Sequence, residues 1–134
     1  MKNIFVILFV ALMLSGCTGE IPTSEEKQWK DYTVHIESRP PIVVKGMNEL
    51  LLLANYKVRG RAHNLIVYFR MGPEGKWVQA MQDGHTGVYR RALRVNDPET
   101  DVLYVHLKEK DPEIKEDRET VFTFPMNYSQ KTAL

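Results

Sequence analysis

The sequence is poor in the residues that announce chemistry. One of its 134 residues is cysteine, which excludes an internal disulfide framework and a CxxC metal site. Basic and acidic residues nearly cancel, 18 against 17. Without a basic excess to neutralise phosphates, nucleic acid is not an expected partner. No GxSxG or SxxK surrounds Ser15, Ser24, Ser38 or Ser129, so no serine has the setting of an activated nucleophile. Gly84 and Gly87 are not followed by the Lys and Ser/Thr of a phosphate loop. The acidic stretch from Glu109 to Glu119 lacks the spaced oxygens and glycine of a calcium loop. Neither catalysis nor a cofactor is expected.

What is present is the balance of one globular domain, 43% hydrophobic and 26% charged, behind an N-terminal signal. Met1, Lys2 and Asn3 precede an apolar run from Ile4 to Leu14, closed by Ser15-Gly16-Cys17. One early charge, a short apolar run and small residues at its exit read as a secretory signal, too short for a stable membrane span. No later segment reaches the ~18 apolar residues of a span. Leu14-Ser15-Gly16-Cys17 resembles the lipobox of bacterial lipoproteins. The resemblance implies cleavage before Cys17 and lipid on that cysteine, giving a mature chain of residues 17–134 with balanced charge. Two or three acyl chains make a lasting anchor where one is reversible. Thr18 stands where an Asp would favour inner-membrane retention in Gram-negative lipoproteins, so the resemblance favours an outer-membrane anchor facing the periplasm if the source is Gram-negative.

Residues 17–28 are polar and aperiodic and read as a lipidated tether. A folded domain is expected over 29–128 and a tail over 129–134. Within the domain, apolar residues recur with period two between turn signals. Lys30 to Ser38 alternates Tyr32, Val34 and Ile36 against Thr33, His35 and Glu37. After Arg39-Pro40-Pro41, Ile42 to Lys45 reads as a short edge strand. Glu49 to Arg59 puts Leu50, Leu52, Ala54, Tyr56 and Val58 on one face. High leucine propensity and a possible Asn48 cap also allow a helix there, but the Ala54 to Val58 alternation and Gly60 favour a strand. His63 to Met71, a Gly72-Pro73-Glu74-Gly75 turn, and Lys76 to Met81 with Trp77, Gln79 and Met81 on one side make a hairpin. Val88 to Val95, Val102 to Glu109 and Thr120 to Met126 complete the set. Phe69 and Trp77 are its large core aromatics.

Seven or eight short strands in about 100 residues predict an all-β sandwich. Val67-Tyr68-Phe69-Arg70, Trp77, Met81, Gly87-Val88-Tyr89 and Leu103-Tyr104-Val105, in that order, resemble the immunoglobulin-like and fibronectin type III-like domains of exported bacterial proteins. The likeness covers residues 63–109 and lacks the inter-sheet cysteine pair of antibody domains.

Imidazole and thioether donors suit copper and zinc, and His35, His63, His85, His106, Met47, Met71, Met81 and Met126 supply them. No HxH, HxxxH or Met-rich repeat gathers them, and Met71, Met81 and Met126 read as core filling. No metal site is expected. If the resemblance gives the strand order, 63–71 adjoins 102–109. Ile66, Tyr68 and Arg70 then share an exposed outer face with Tyr104, His106 and Lys108, residue types that suit either a contact surface or ordinary cross-strand packing. The opposite outer face would carry a basic strip of Lys57, Arg59, Arg90 and Arg94. The expectation is a lipid-anchored envelope module without catalysis, presenting Tyr68, Arg70, Tyr104, His106 and Lys108 to a protein or glycan. The alternatives are a periplasmic His/Met metal-handling lipoprotein or a pilotin-like secretion-system assembly lipoprotein.

Overall fold

A computed structural model of the chain describes residues 20–57, 60–61, 64–109 and 118–131, with backbone alone at 60–61 and 131. The proposed signal, Cys17, Val58, Arg59, His63 and most of the acidic stretch lie outside the described residues. The chain is all-β. Its strands are β1 (Lys27–Trp29), β2 (Tyr32–Arg39), β3 (Gly46–Tyr56), β4 (Gly60–Arg61), β5 (Leu65–Met71), β6 (Val78–Gln79), β7 (Met81–Gln82), β8 (Val88–Val95), β9 (Val102–Glu109) and β10 (Glu119–Pro125). A single helical turn, Tyr128–Lys131, follows. No helix among the described residues is long and apolar enough to cross a membrane.

All pairings are antiparallel. One sheet runs β1-β2-β3-β8-β7 with β4 on the end of β3; the other runs β10-β9-β5-β6. Their inner faces meet in one core, with Val34, Ile36, Leu50, Leu52 and Tyr89 from the first and Val67, Phe69, Val105, Leu107 and Phe124 from the second. This is a sandwich-like arrangement of two sheets, each burying the apolar set of its alternating strands. Among the described residues the strand segments number ten because β1, β4, β6 and β7 are pieces of two or three residues.

The leucine run is a strand. Leu50 and Leu52 face the core with no exposure. Leu51 is also buried, on the outer face, between Glu37 and Arg90 in register, whose stems can cover apolar surface while their charges stay wet. Asn48 caps no helix. Its amide accepts from Val44 N at 3.0 Å and donates to Val44 O at 2.7 Å and Gly46 O at 3.0 Å. The edge strand expected over Ile42 to Lys45 is therefore absent: Asn48 occupies both Val44 backbone groups, and Val43 N donates to Ser129 Oγ at 3.0 Å.

The segment read as a tether is attached from Ser24 onward. Ser24 is buried, its N–H donates to Ile36 O at 2.9 Å, and its Oγ accepts from Ile36 N at 2.7 Å. The residues expected as a tail begin equally docked, with Ser129 fully buried.

The strand after the Gly72–Gly75 turn differs most from expectation. It passes from one sheet to the other, β6 pairing with β5 and β7 with β8. The crossing is at Ala80, whose N–H donates to Val67 O at 2.8 Å. Val78 and Ala80 point inward, so Trp77 and Met81 are 39% and 65% exposed and neither fills the core. Small inward residues let the strand squeeze between the sheets, where a Trp would not fit. Met126 is fully buried and Met71 packs against the core, as expected of both.

At the far end Tyr32 stacks on Trp29 and Tyr56, with centroids 5.6 and 4.9 Å apart. Its hydroxyl donates to Glu109 Oε1 at 2.9 Å, and Glu109 Oε2 lies 2.9 Å from Arg118 Nε. Burial, then the Glu109 contact, pushes the Tyr32 hydroxyl far above the ordinary tyrosine range. Burial also raises Tyr89 and Tyr128.

Two outcomes follow. Phe69→Ala should cost ~3–5 kcal/mol in denaturant unfolding, as expected for a buried aromatic, and Trp77→Ala only ~1–2; equal costs would contradict the phase of this hairpin. The three raised tyrosines hold their protons in the folded state and release them on unfolding, so their contribution is complete below about pH 10 and is lost as pH rises above it. In an absorbance titration, Tyr32→Phe, Tyr89→Phe and Tyr128→Phe should each remove a tyrosine that ionises above the ordinary tyrosine range; removal of one that ionises within that range would contradict this.

Candidate functional site

The outer face of the β10-β9-β5-β6 sheet gathers the residues singled out from the sequence. In register, Tyr68 stands opposite His106, Arg70 opposite Tyr104 and Ile66 opposite Lys108. On the other side of β9, Glu119 faces Lys108, Val121 faces His106 and Thr123 faces Tyr104. Directly opposed residues share a face, so the strand phases bring Tyr68, Arg70, Tyr104 and His106 side by side. Lys108 lies at the end of the row, exposed.

Trp77 completes the group. The β5–β6 register pairs Tyr68 with Gln79, and two residues further along this antiparallel pair Arg70 meets Trp77. The Arg70 guanidinium carbon lies 4.5 Å from the Trp77 ring centroid and 4.8 Å from that of Tyr104, a cation held between two π faces. Arg70 Nε is shielded from solvent and has no hydrogen-bond partner among the described residues. His106 lies 5.8 Å from both Tyr68 and Trp77, and its Nε2 is 3.0 Å from Glu119 Oε2. Tyr68, Arg70, Tyr104 and His106 are consequently half-buried rather than fully exposed, because Trp77 and the neighbouring rings cover them. Trp77 and Glu119 were missing from the sequence reading. The signal for Trp77 was the turn itself: four residues between Met71 and Lys76 set Arg70 opposite Trp77 once Phe69 is inside.

Comparison of the chain with protein-family models, characterised proteins and solved structures returned no match. The site is therefore read from its own chemistry. The row offers three aromatic rings, a stacked guanidinium, an imidazole with its carboxylate, and the exposed apolar Val121. Among the described residues, one cleft of about 320 Å³ lies beside the Ala80 crossing, lined by Asn64, Gln82 and His85, and one of about 230 Å³ lies between Thr23 and Pro125.

The metal candidates are dispersed. His35 pairs with Glu37 at 3.4 Å on the other sheet's outer face, His106 pairs with Glu119, and His85 sits in an exposed loop. No three His, Cys, Asp or Glu side chains converge among the described residues. The basic strip is interrupted: Arg90 shares Glu49 with Arg39, at 4.0 and 3.8 Å, while Lys57 and Arg94 are exposed.

A double-mutant cycle on Arg70→Met and Trp77→Ala should give a coupling of about 1 kcal/mol in unfolding free energy. Additivity within ~0.3 kcal/mol would show that the stacking contributes nothing.

Proposed function

We propose that the protein is a lipid-anchored module of the bacterial cell envelope that binds a protein partner, without catalysis, through the outer face of its four-stranded sheet. The observation that carries this reading is the clamp of Arg70 between Trp77 and Tyr104, flanked by Tyr68 and His106. Trp, Tyr and Arg are the residue types that dominate interface energetics, and clamping removes the side-chain entropy that Arg would otherwise lose on binding. Glycan binding is the competing outcome of the test.

The sandwich is proposed to be of the immunoglobulin-like kind. The order β2-β3-β8-β7 in one sheet with β10-β9-β5 in the other supports this, since it matches the division of strands ABED and GFC in such domains. The lipobox-like Leu14-Ser15-Gly16-Cys17 supports anchoring through Cys17. An outer-membrane position facing the periplasm follows from Thr18 if the source is Gram-negative.

Two experiments test the reading. Cys17→Ser should release or mislocalise the protein in membrane fractionation; retention after a high-salt wash would contradict the anchor. Tyr68→Ser with Tyr104→Ser should leave the protein folded, with a modest loss of melting temperature, yet lower affinity for a partner captured by crosslinking in envelopes, by ~2 kcal/mol or more for each central aromatic. Unchanged affinity would contradict the site, and transfer of binding to a purified envelope glycan would replace the protein partner.

A further inference from the structure

Among the described residues, seven large hydrophobic side chains are exposed: Ile21, Ile42, Val44, Met47, Trp77, Met81 and Val121. The first four collect at one end of the molecule. β1 runs antiparallel to β2, with Lys27 opposite Val34 and Ser24 bonded to Ile36, so the chain preceding Ser24 leads away beyond the Arg39 end of β2. Ile21, 58% exposed, belongs to that outgoing segment. Ile42 and Val44 are the outward members of the segment joining β2 to β3, on either side of buried Val43. Met47, 57% exposed, opens β3 at the same end and stands opposite Arg94. Charges of both signs surround these side chains, with exposed Arg39, Lys45 and Arg94 beside exposed Glu20, Glu26, Asp97 and Glu99. The other end of the sheet carries Lys30, Asp31, Lys57 and Asp83 at its surface and no exposed large hydrophobic among the described residues.

The length of chain decides what this end meets. Three residues separate Ile21 from Cys17, and the four steps between the two span at most ~14 Å when extended. An eight-residue strand is ~26 Å long, so the polar end stands a full strand further from Cys17. Apolar side chains projecting from the end nearest the lipid suit the boundary between headgroups and acyl chains. We infer that Ile21, Ile42, Val44 and Met47 form a second membrane contact, seating the anchored domain on the lipid surface by this end. The inference rests on the reading of Cys17 as lipidated. It holds the domain upright, with the outer faces of both sheets on its flanks.

With Cys17 acylated, a cysteine introduced by Val44→Cys is the one free thiol for an environment-sensitive fluorophore. The full chain so labelled, extracted in lipidated form and reconstituted in vesicles of phosphatidylethanolamine and phosphatidylglycerol, should show blue-shifted emission and quenching by spin-labelled lipid. Ile42→Cys should do the same, and Lys57→Cys at the opposite, polar end should report water. Circular dichroism confirms that each variant is folded. A water-exposed label at both Val44 and Ile42 in protein that stays membrane-bound overturns the contact and leaves the anchor standing. A label shielded in cells but not in lipid vesicles also overturns it, assigning this end to a protein partner. If Cys17→Ser does not release the protein, the anchor falls and the contact with it.

Discussion

Phe69 is wholly buried at the centre of the core, and because side chains alternate strictly along a strand, its burial dictates the disposition of its neighbours. Tyr68 and Arg70 must face outward. Antiparallel pairing carries that constraint sideways to His106 and Tyr104 on β9 and to Gln79 and Trp77 across the hairpin. A one-residue slip would move every one of these side chains to the other face. The outer row is therefore a consequence of core packing: the residues able to contact a partner are held in place by residues that never reach the surface.

The hairpin that delivers Trp77 depends on a close backbone approach. A Cβ at Gly75 would collide with the Met71 carbonyl oxygen, and Gly72 has a φ of 75°, a left-handed value that glycine adopts without strain. Elsewhere, side-chain hydrogen bonds close the ends of the sandwich where the ladders stop. Asn48 binds the turn before β3, Ser24 fastens the incoming chain to β2, Ser129 receives Val43, and Tyr32 locks β2 to Glu109 on the opposite sheet. Each satisfies polar groups that would be costly to leave buried and unpaired.

Much of this was legible in the sequence. The alternation of Leu65, Val67 and Phe69 against Ile66, Tyr68 and Arg70 marked both the strand and its phase, and the adjacency of β5 and β9 was what the resemblance to immunoglobulin-like domains implied. Trp77 was misplaced because size was weighed above register, although the turn length already set it opposite Arg70. The passage of residues 78–82 from one sheet to the other could not be read, since period two is the same in either sheet. Ile42 to Lys45 misled for a different reason. Its composition suits a strand, but the backbone groups of Val43 and Val44 are taken by Ser129 and Asn48, one of them 86 residues away. The attachment of Ser24 was hidden likewise, by a polar composition that a flexible tether shares.

The central claim is that one face of this domain, and not the other, meets a partner. Site-specific photocrosslinking in intact cells tests it most directly, with the photoreactive residue placed at exposed Thr123, beside Tyr104, or at exposed Asn55 on the outer face of the other sheet. The account predicts a discrete crosslinked protein from position 123 and none from position 55. Equal crosslinking from both positions, or crosslinking from position 55 alone, would contradict it.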